Sequence, residues 1–288
     1  TALFHGRTET LVIPGDDRHD RLFFDVPPGV GRVDVTVAGL VTDVVVARRG
    51  FGELAGSVPA TPPAPSRALV QADQQGDTWT AAVVADSGDD VEPGRYYVVV
   101  DNGNPAEAAV EVTAAVGGDP EITPPPPGNR DFPRRGLWSP EARAINQGID
   151  LQVSGDRRFA VWYTYDEAGR PTFYITDVAD VSQSPFFQAA LYRPTSNDAR
   201  SNLEAVGEVQ ITAVDEDRFM FAWRLNGNRG AEMFDPVSST TCPLVDGAPV
   251  SRLGHWVSPT TTAGGVTLLF TAESESWIRY YYDELNRP

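Results

Sequence analysis

The chain has 288 residues, with 40 acidic side chains against 23 basic ones, a formal net charge of −17 and a pI near 4.5. Every basic residue is arginine, so a P-loop lysine and Schiff-base chemistry are both excluded. The acidic surplus argues against nucleic acid, whose phosphates demand a basic face, and no apolar run approaches the ~20 residues of a membrane helix.

Hydrophobic residues at 41% and aromatics at 10% are enough to build packed cores, and the length suits about two domains. The sequence begins at Thr1 rather than Met and reads as a mature or excised segment. The one cysteine, Cys242, has no internal partner for a disulfide. Acidic residues combined with arginine in place of lysine fit a salt-tolerant exported protein, so the expected location is secreted, extracellular or cell-surface.

In chain order, residues 1–116 read as all-β. Leu22 to Val26 form a short strand. Val33, Val35 and Val37 alternate with Asp34 and Thr36, the period of a half-buried strand. Val41 to Ala47, Trp79 to Ala85, Tyr96 to Val100 and Ala108 to Val116 follow, separated by turn signals at Pro27-Pro28-Gly29, Arg49-Gly50, Ser87-Gly88 and Pro93-Gly94. Pro59 to Ser66 is a proline-rich loop. Short strands at this spacing predict a β-sandwich.

The motifs Asp20 to Val26, DVVVARRG (Asp43 to Gly50) and PGRYYVVVDN (Pro93 to Asn102) make residues 5–116 resemble the bacterial pre-peptidase C-terminal domain. The resemblance implies a jelly-roll-like β-sandwich appended to an exported enzyme, in a family where some members bind calcium or fibrous protein. Val44-Val45 departs from the family's Leu-Tyr.

Residues 117–135 (GGDPEITPPPPGNRDFPRR) read as a linker, because Pro124 to Pro127 favour polyproline II, a semi-rigid spacer. Beyond it the sequence repeats. GLWSPEARAINQG (Gly136 to Gly148) with YTYDEAGRP (Tyr163 to Pro171) recurs as GHWVSPTTTAGG (Gly254 to Gly265) with YYYDELNRP (Tyr280 to Pro288); Trp138 and Trp256 are 118 apart, Asp166 and Asp283 117 apart. The pattern looks like a Gly-x-Trp and Tyr-Asp-x-x-Gly-x-Pro repeat of secreted proteobacterial proteins, which implies no particular chemistry.

The first copy, 136–242, reads as an antiparallel β-meander or small barrel. Phe159, Val161, Tyr163 and Tyr165 share one face of a strand; Ala160, Trp162 and Thr164 share the other. Phe219, Phe221, Trp223 and Leu225 form another alternating face that ends at Asn226-Gly227, a hairpin signal. The second copy, 243–288, is incomplete. It is read as part of a longer chain or as a site for strand complementation in trans, which would give self-association.

No catalytic constellation emerges. His5, His19 and His255 lack ligand spacing, no G-x-S-x-G exists, and Cys242 has no recognisable base nearby. Asp86-Ser87-Gly88 matches half of an aspartic-protease site and has no second copy. Asp86, Asp89, Asp90 and Glu92 form an acidic turn that offers hard oxygen ligands for Ca²⁺; no other cofactor is expected. Aromatics are the richest signal. Trp162, Tyr174 and Trp223 are the candidate binding face, with Trp162 the best outward residue because it opposes the Phe159 to Tyr165 set, and because Arg279 holds its position in the second copy.

The expected fold class is all-β: a jelly-roll-like sandwich, a linker, then antiparallel meander or barrel repeats. The expected function is a non-catalytic binding or spacer module accessory to a larger exported protein, with polysaccharide or extended polypeptide as partner. Two alternatives stand beside it: a secreted hydrolase, glycosidase or peptidase, whose carboxylates are not identified, and a structural subunit of an extracellular assembly.

Overall fold

The computed structural model describes residues 1–54, 68–85, 90–117, 133–141, 147–182, 184–194, 203–215 and 217–237, with five further pieces at 244–245, 248–249, 254–257, 265–270 and 275–280. The protein is all-β. Among the described residues its regular elements are antiparallel strands and one 3-10 turn at Phe51–Glu53. The proline-rich segments Pro59 to Ser66 and Pro124 to Pro127, and Cys242, lie outside the described residues.

The first nine strands are β1 (Thr8–Ile13), β2 (Asp17–Val26), β3 (Arg32–Ala38), β4 (Asp43–Arg49), β5 (Ala68–Gln71), β6 (Asp73–Gln75), β7 (Thr78–Val84), β8 (Gly94–Asn102) and β9 (Ala108–Val116). They make two sheets, ordered β1-β9-β3-β7-β6 and β2-β8-β4-β5. Alternation explains the layering. Val33, Val35 and Val37 of β3 and Val110, Val112 and Ala114 of β9 face inward, against Phe24, Tyr96, Val98 and Val100 from the opposite sheet. β1, β5 and β6 go beyond the expected strands; β6 is Asp-Gln-Gln, exposed throughout, and carries no hydrophobic period.

Two residues of the PGRYYVVVDN motif have clear structural duties. Gly94 has φ +156, and a Cβ there would meet the Arg49 carbonyl oxygen at 2.4 Å, so only glycine lets β8 lie against β4. Asn102, fully buried, donates from its amide to the carbonyls of Ile13, Pro14 and Ala106 and ties β8 to the neighbouring chain crossings.

Nine more strands follow: β10 (Gly136–Pro140), β11 (Gly148–Ser154), β12 (Arg157–Tyr165), β13 (Pro171–Thr176), β14 (Ala179–Asp180), β15 (Phe186–Pro194), β16 (Leu203–Asp215), β17 (Arg218–Leu225) and β18 (Asn228–Pro236). They run in the order β11-β10-β18-β17-β16-β15-β13-β12-β14, and β11 also pairs with β12. Without the short β14, this closes an eight-stranded barrel, which removes every exposed edge. At the β17–β18 turn Asn226 (φ 50) and Gly227 (φ 81) take the left-handed pair that a two-residue hairpin needs.

Trp138, Ile149, Leu151, Trp162, Phe219, Phe221 and Phe234 fill the barrel interior. The outward expectation for Trp162 is therefore corrected. Its ring is 4% exposed and lies 5.1 Å from Phe221 and 5.4 Å from Trp223. Closure turned the Ala160-Trp162-Thr164 face inward; the opposite face at Val161 is buried too, because other elements cover the barrel's outer wall.

One outer wall receives the sandwich. Phe51 and Leu54 pack on Met220 and Met233, and Ala2 and Phe4 on Ala222. The His5 backbone N–H donates to Gln210 Oε1 at 2.8 Å. Buried Glu9 pairs with Arg224 and accepts from Arg229 Nη1 at 2.5 Å. The two regions are thus in direct side-chain contact whatever course the proline-rich segment takes.

Two short strands, β19 (Leu244–Val245) and β20 (Ala248–Pro249), precede a three-stranded sheet of β21 (Gly254–Val257), β22 (Gly265–Phe270) and β23 (Glu275–Tyr280). Thr267 of β22 is buried against the barrel, whereas Trp256 and Trp277 are exposed.

Candidate functional site

The mouth of the barrel gathers the most varied side chains. The β12–β13 turn (Asp166 to Arg170), Arg193 at the end of β15 and the β17–β18 turn line a cleft of about 500 Å³ together with Tyr165, Tyr174 and Asn228. That volume suits a small ligand or one unit of a chain. The aromatic layer beneath is continuous: Trp162 lies 5.8 Å from Tyr174 and 5.4 Å from Trp223, and Trp223 stacks on Phe221 at 5.6 Å.

Local sequence explains the rim. Asp166 Oδ1 accepts from the backbone of Ala168 and Arg170, both at 2.9 Å, and Oδ2 accepts from Arg170 Nε at 2.7 Å. These bonds hold the Asp166 carboxyl below its ordinary range, the Arg170 side chain foremost. Arg193 Nη2 donates to Glu204 at 2.7 Å. Burial pushes the Tyr174 phenol up, and Arg193 partly draws it back. The rim is therefore a set of fixed ion pairs and amides around aromatic faces.

The three expected binding aromatics come together here in a different role. Tyr174 lines the cleft, whereas buried Trp162 and half-buried Trp223 belong to the barrel core that Tyr174 packs on and do not line it. Arg193, Asn228 and Glu232 were not anticipated. Glu232 pairs in register with Phe221 and so shares its inward face, one pair deeper than Trp223 and Gly230. Burial pushes its carboxyl above the ordinary range. The signal was present in Gly230-Ala-Glu-Met-Phe234: Glu232 is in phase with Phe234 and Gly230, where an interior apolar residue is due. At Gly230 an added Cβ would meet the Trp223 ring at 2.0 Å, so the glycine makes room for the indole.

A second depression, about 600 Å³, lies where the N-terminal segment meets the barrel's outer wall, between Arg7, Asp177, Gln188, Glu208 and Arg224. Arg224 Nη1 bonds Glu208 at 2.9 Å, and its guanidinium stands 4.5 Å over the Phe4 ring.

Of the expected calcium ligands, Asp86 and Asp89 lie outside the described residues. Glu92, just before β8, pairs with Arg48 of the adjacent strand β4 in the same sheet. Among the described residues no group of three or more His, Cys, Asp or Glu side chains could hold a metal ion. His5 is held as a neutral acceptor: the Val116 backbone N–H donates to its Nδ1 at 3.0 Å, and burial pushes its pKa down. Among the described residues no helix is long and apolar enough to cross a membrane.

No family model matches the chain, and no curated protein matches it significantly. Among solved structures it is similar to the pre-peptidase C-terminal domain of a collagenase from Bacillus anthracis. That likeness has 16% identity, covers 40% of this chain and 90% of that one, and has a TM-score of 0.28.

Proposed function

We propose that the chain is a non-catalytic accessory region of an exported, secreted or cell-surface protein, and that its barrel mouth binds a polyhydroxylated ligand or an extended polypeptide. The observation that carries this reading is the cleft itself, in which Tyr165 and Tyr174 lie beside arginine, asparagine and an ion-paired carboxylate. Aromatic faces stack on apolar ring faces or flat peptide planes, while guanidinium and amide groups meet hydroxyls and carbonyls. The rim carboxylate Asp166 is pulled toward the ionised form and does not suit a general acid. The segmentation into 1–116, 117–135, 136–242 and 243–288 belongs to the same reading, as does Ca²⁺ at the acidic turn from Asp86 to Glu92, which calorimetric titration tests.

The binding test is calorimetry of the purified chain against soluble polysaccharides, their oligomers and extended peptides. Arg193→Ala and Asn228→Ala each weaken binding about fivefold or more, the range of one lost charged or neutral hydrogen bond. Binding that both variants leave untouched, or no binding across the panel, overturns the reading.

One observation favours the hydrolase as a second reading: Glu232, an inward-facing carboxyl whose pKa burial raises. Turnover of a glycan or peptide that disappears in Glu232→Gln decides for it, and no turnover by the unaltered chain across the same panel decides against it.

A further inference from the structure

The small sheet β21–β23 repeats the pairing of the barrel's first three strands. In the barrel, Leu137 pairs with Asp150 and Trp138 with Ile149; in the small sheet, His255 pairs with Thr267 and Trp256 with Val266. The third strand keeps step: Asp150 pairs with Val161 and Leu151 with Ala160, as Thr267 pairs with Ile278 and Leu268 with Trp277. In this shared register Asp150 and Thr267 are one and the same position.

Those two residues also touch. Thr267 Oγ1 donates to Asp150 Oδ2 at 2.6 Å, and both side chains are fully buried. Asp150 alternates with the interior residues Ile149 and Leu151, so it lies on the barrel's outer wall. Thr267 likewise alternates with Val266 and Leu268. The two sheets therefore meet outer face to outer face, with equivalent points in contact. Two like faces pressed together so that one point meets its own counterpart are related by a two-fold axis lying between them, whatever angle the strands make.

We infer that the Asp150–Thr267 contact lies on a local two-fold axis, and that the outer face of β10–β12 is a docking surface for a second copy of the same three-stranded unit, occupied here by β21–β23 of the same chain. An isologous surface is consumed when it pairs, so copies of this unit associate back to back in twos and do not stack through this face into an array. The polar pair on the axis sets the register of docking, because a shift takes the Thr267 hydroxyl away from Asp150 Oδ2 at a buried position. Gln152 supports it from one side, donating to Asp150 Oδ1 at 2.6 Å.

Exchange of the two residues across the axis is the test, read by amide hydrogen exchange over 265–270 with protection over 209–225 in the same sample as the measure of barrel folding. Asp150→Thr lowers protection at 265–270 about tenfold, since a buried bond to a charged group is lost. Thr267→Asp lowers it at least about tenfold, since two carboxylates then face each other. Combined, the two substitutions restore one carboxylate and one hydroxyl on the axis, and protection returns to within about threefold of the starting protein. Losses that multiply in the double variant overturn the inference, as do single variants that leave 265–270 unchanged. If Asp150→Thr lowers protection over 209–225 as well, Asp150→Asn combined with Thr267→Asn takes its place. Like amides on a two-fold axis can bond each other, so protection at 265–270 is kept; its loss with the barrel intact overturns the inference.

Discussion

Strands β10–β12 and β21–β23 share a register and live in opposite surroundings. Trp138 is wholly buried, 4.9 Å from the Phe219 ring, while Trp256 at the matching position is 55% exposed. Ala160 is buried, whereas Trp277, its counterpart, is 65% exposed. Pairing is a local matter of strand pattern and turn, and both sheets achieve it. Burial depends on what else closes over the sheet. In the barrel that is β13 and β15–β18, whose aromatic residues supply the partners Trp138 packs against.

The largest expected effect tests this contrast directly. Trp138→Ala destabilises the barrel by about 3–5 kcal/mol, from lost burial and the cavity left behind. Trp256→Ala changes stability by less than ~1 kcal/mol, as surface substitutions do. Urea unfolding midpoints compare the two, and equal costs would break the contrast. Next comes Met220→Ala, on the wall that faces Phe51 and Leu54. A loss of about 2–4 kcal/mol in the same assay would show that the barrel relies on its outer covering as well as on its closed interior.

Acid–base behaviour sharpens the contrast further, because Glu232 is inward-facing only in the barrel. Its folded pKa is raised, so the folded state holds that proton more tightly than the unfolded chain. Its contribution is fully present below the ordinary value of 4.5, and is lost as pH rises through the higher folded value. Glu232→Gln removes that part of the slope in unfolding midpoints measured across acid pH. His5 works in the opposite sense. Burial lowers its folded pKa, so stability is complete above 6.5 and falls as pH drops below it; His5→Phe flattens that limb. The smallest effect is expected at the rim. Arg193→Ala changes stability by no more than ~1 kcal/mol, because its pair with Glu204 is exposed, while ligand affinity falls. A large change in stability there would mean that the rim holds the barrel together.

Several parts of the candidate site were legible in the chain. Asn226-Gly227 announced its turn, because positive φ is a local requirement that asparagine and glycine meet. The Phe219-Phe221-Trp223 face could be read as apolar and does line the core. The orientation of Trp162 could not be read, because both faces of β12 are rich in apolar and aromatic residues. Nor could Arg193 and Asn228 be chosen from so many polar residues, since their meeting at one mouth depends on strands far apart in sequence.

By itself, then, the sequence determined that the chain is all-β, where turns such as Asn226-Gly227 fall, and which residues of the strands it revealed share a side. Alternation and glycine or asparagine at left-handed positions act over a few residues, so a linear reading captures them. Only the tertiary structure decided which side is inside. Closure through the β11–β12 pairing made the Trp162 face an interior, and β21–β23 docks by Thr267 on Asp150, the register partner of buried Val161 on the opposite face. Burial is a property of surfaces brought together from distant segments, and no single strand carries it.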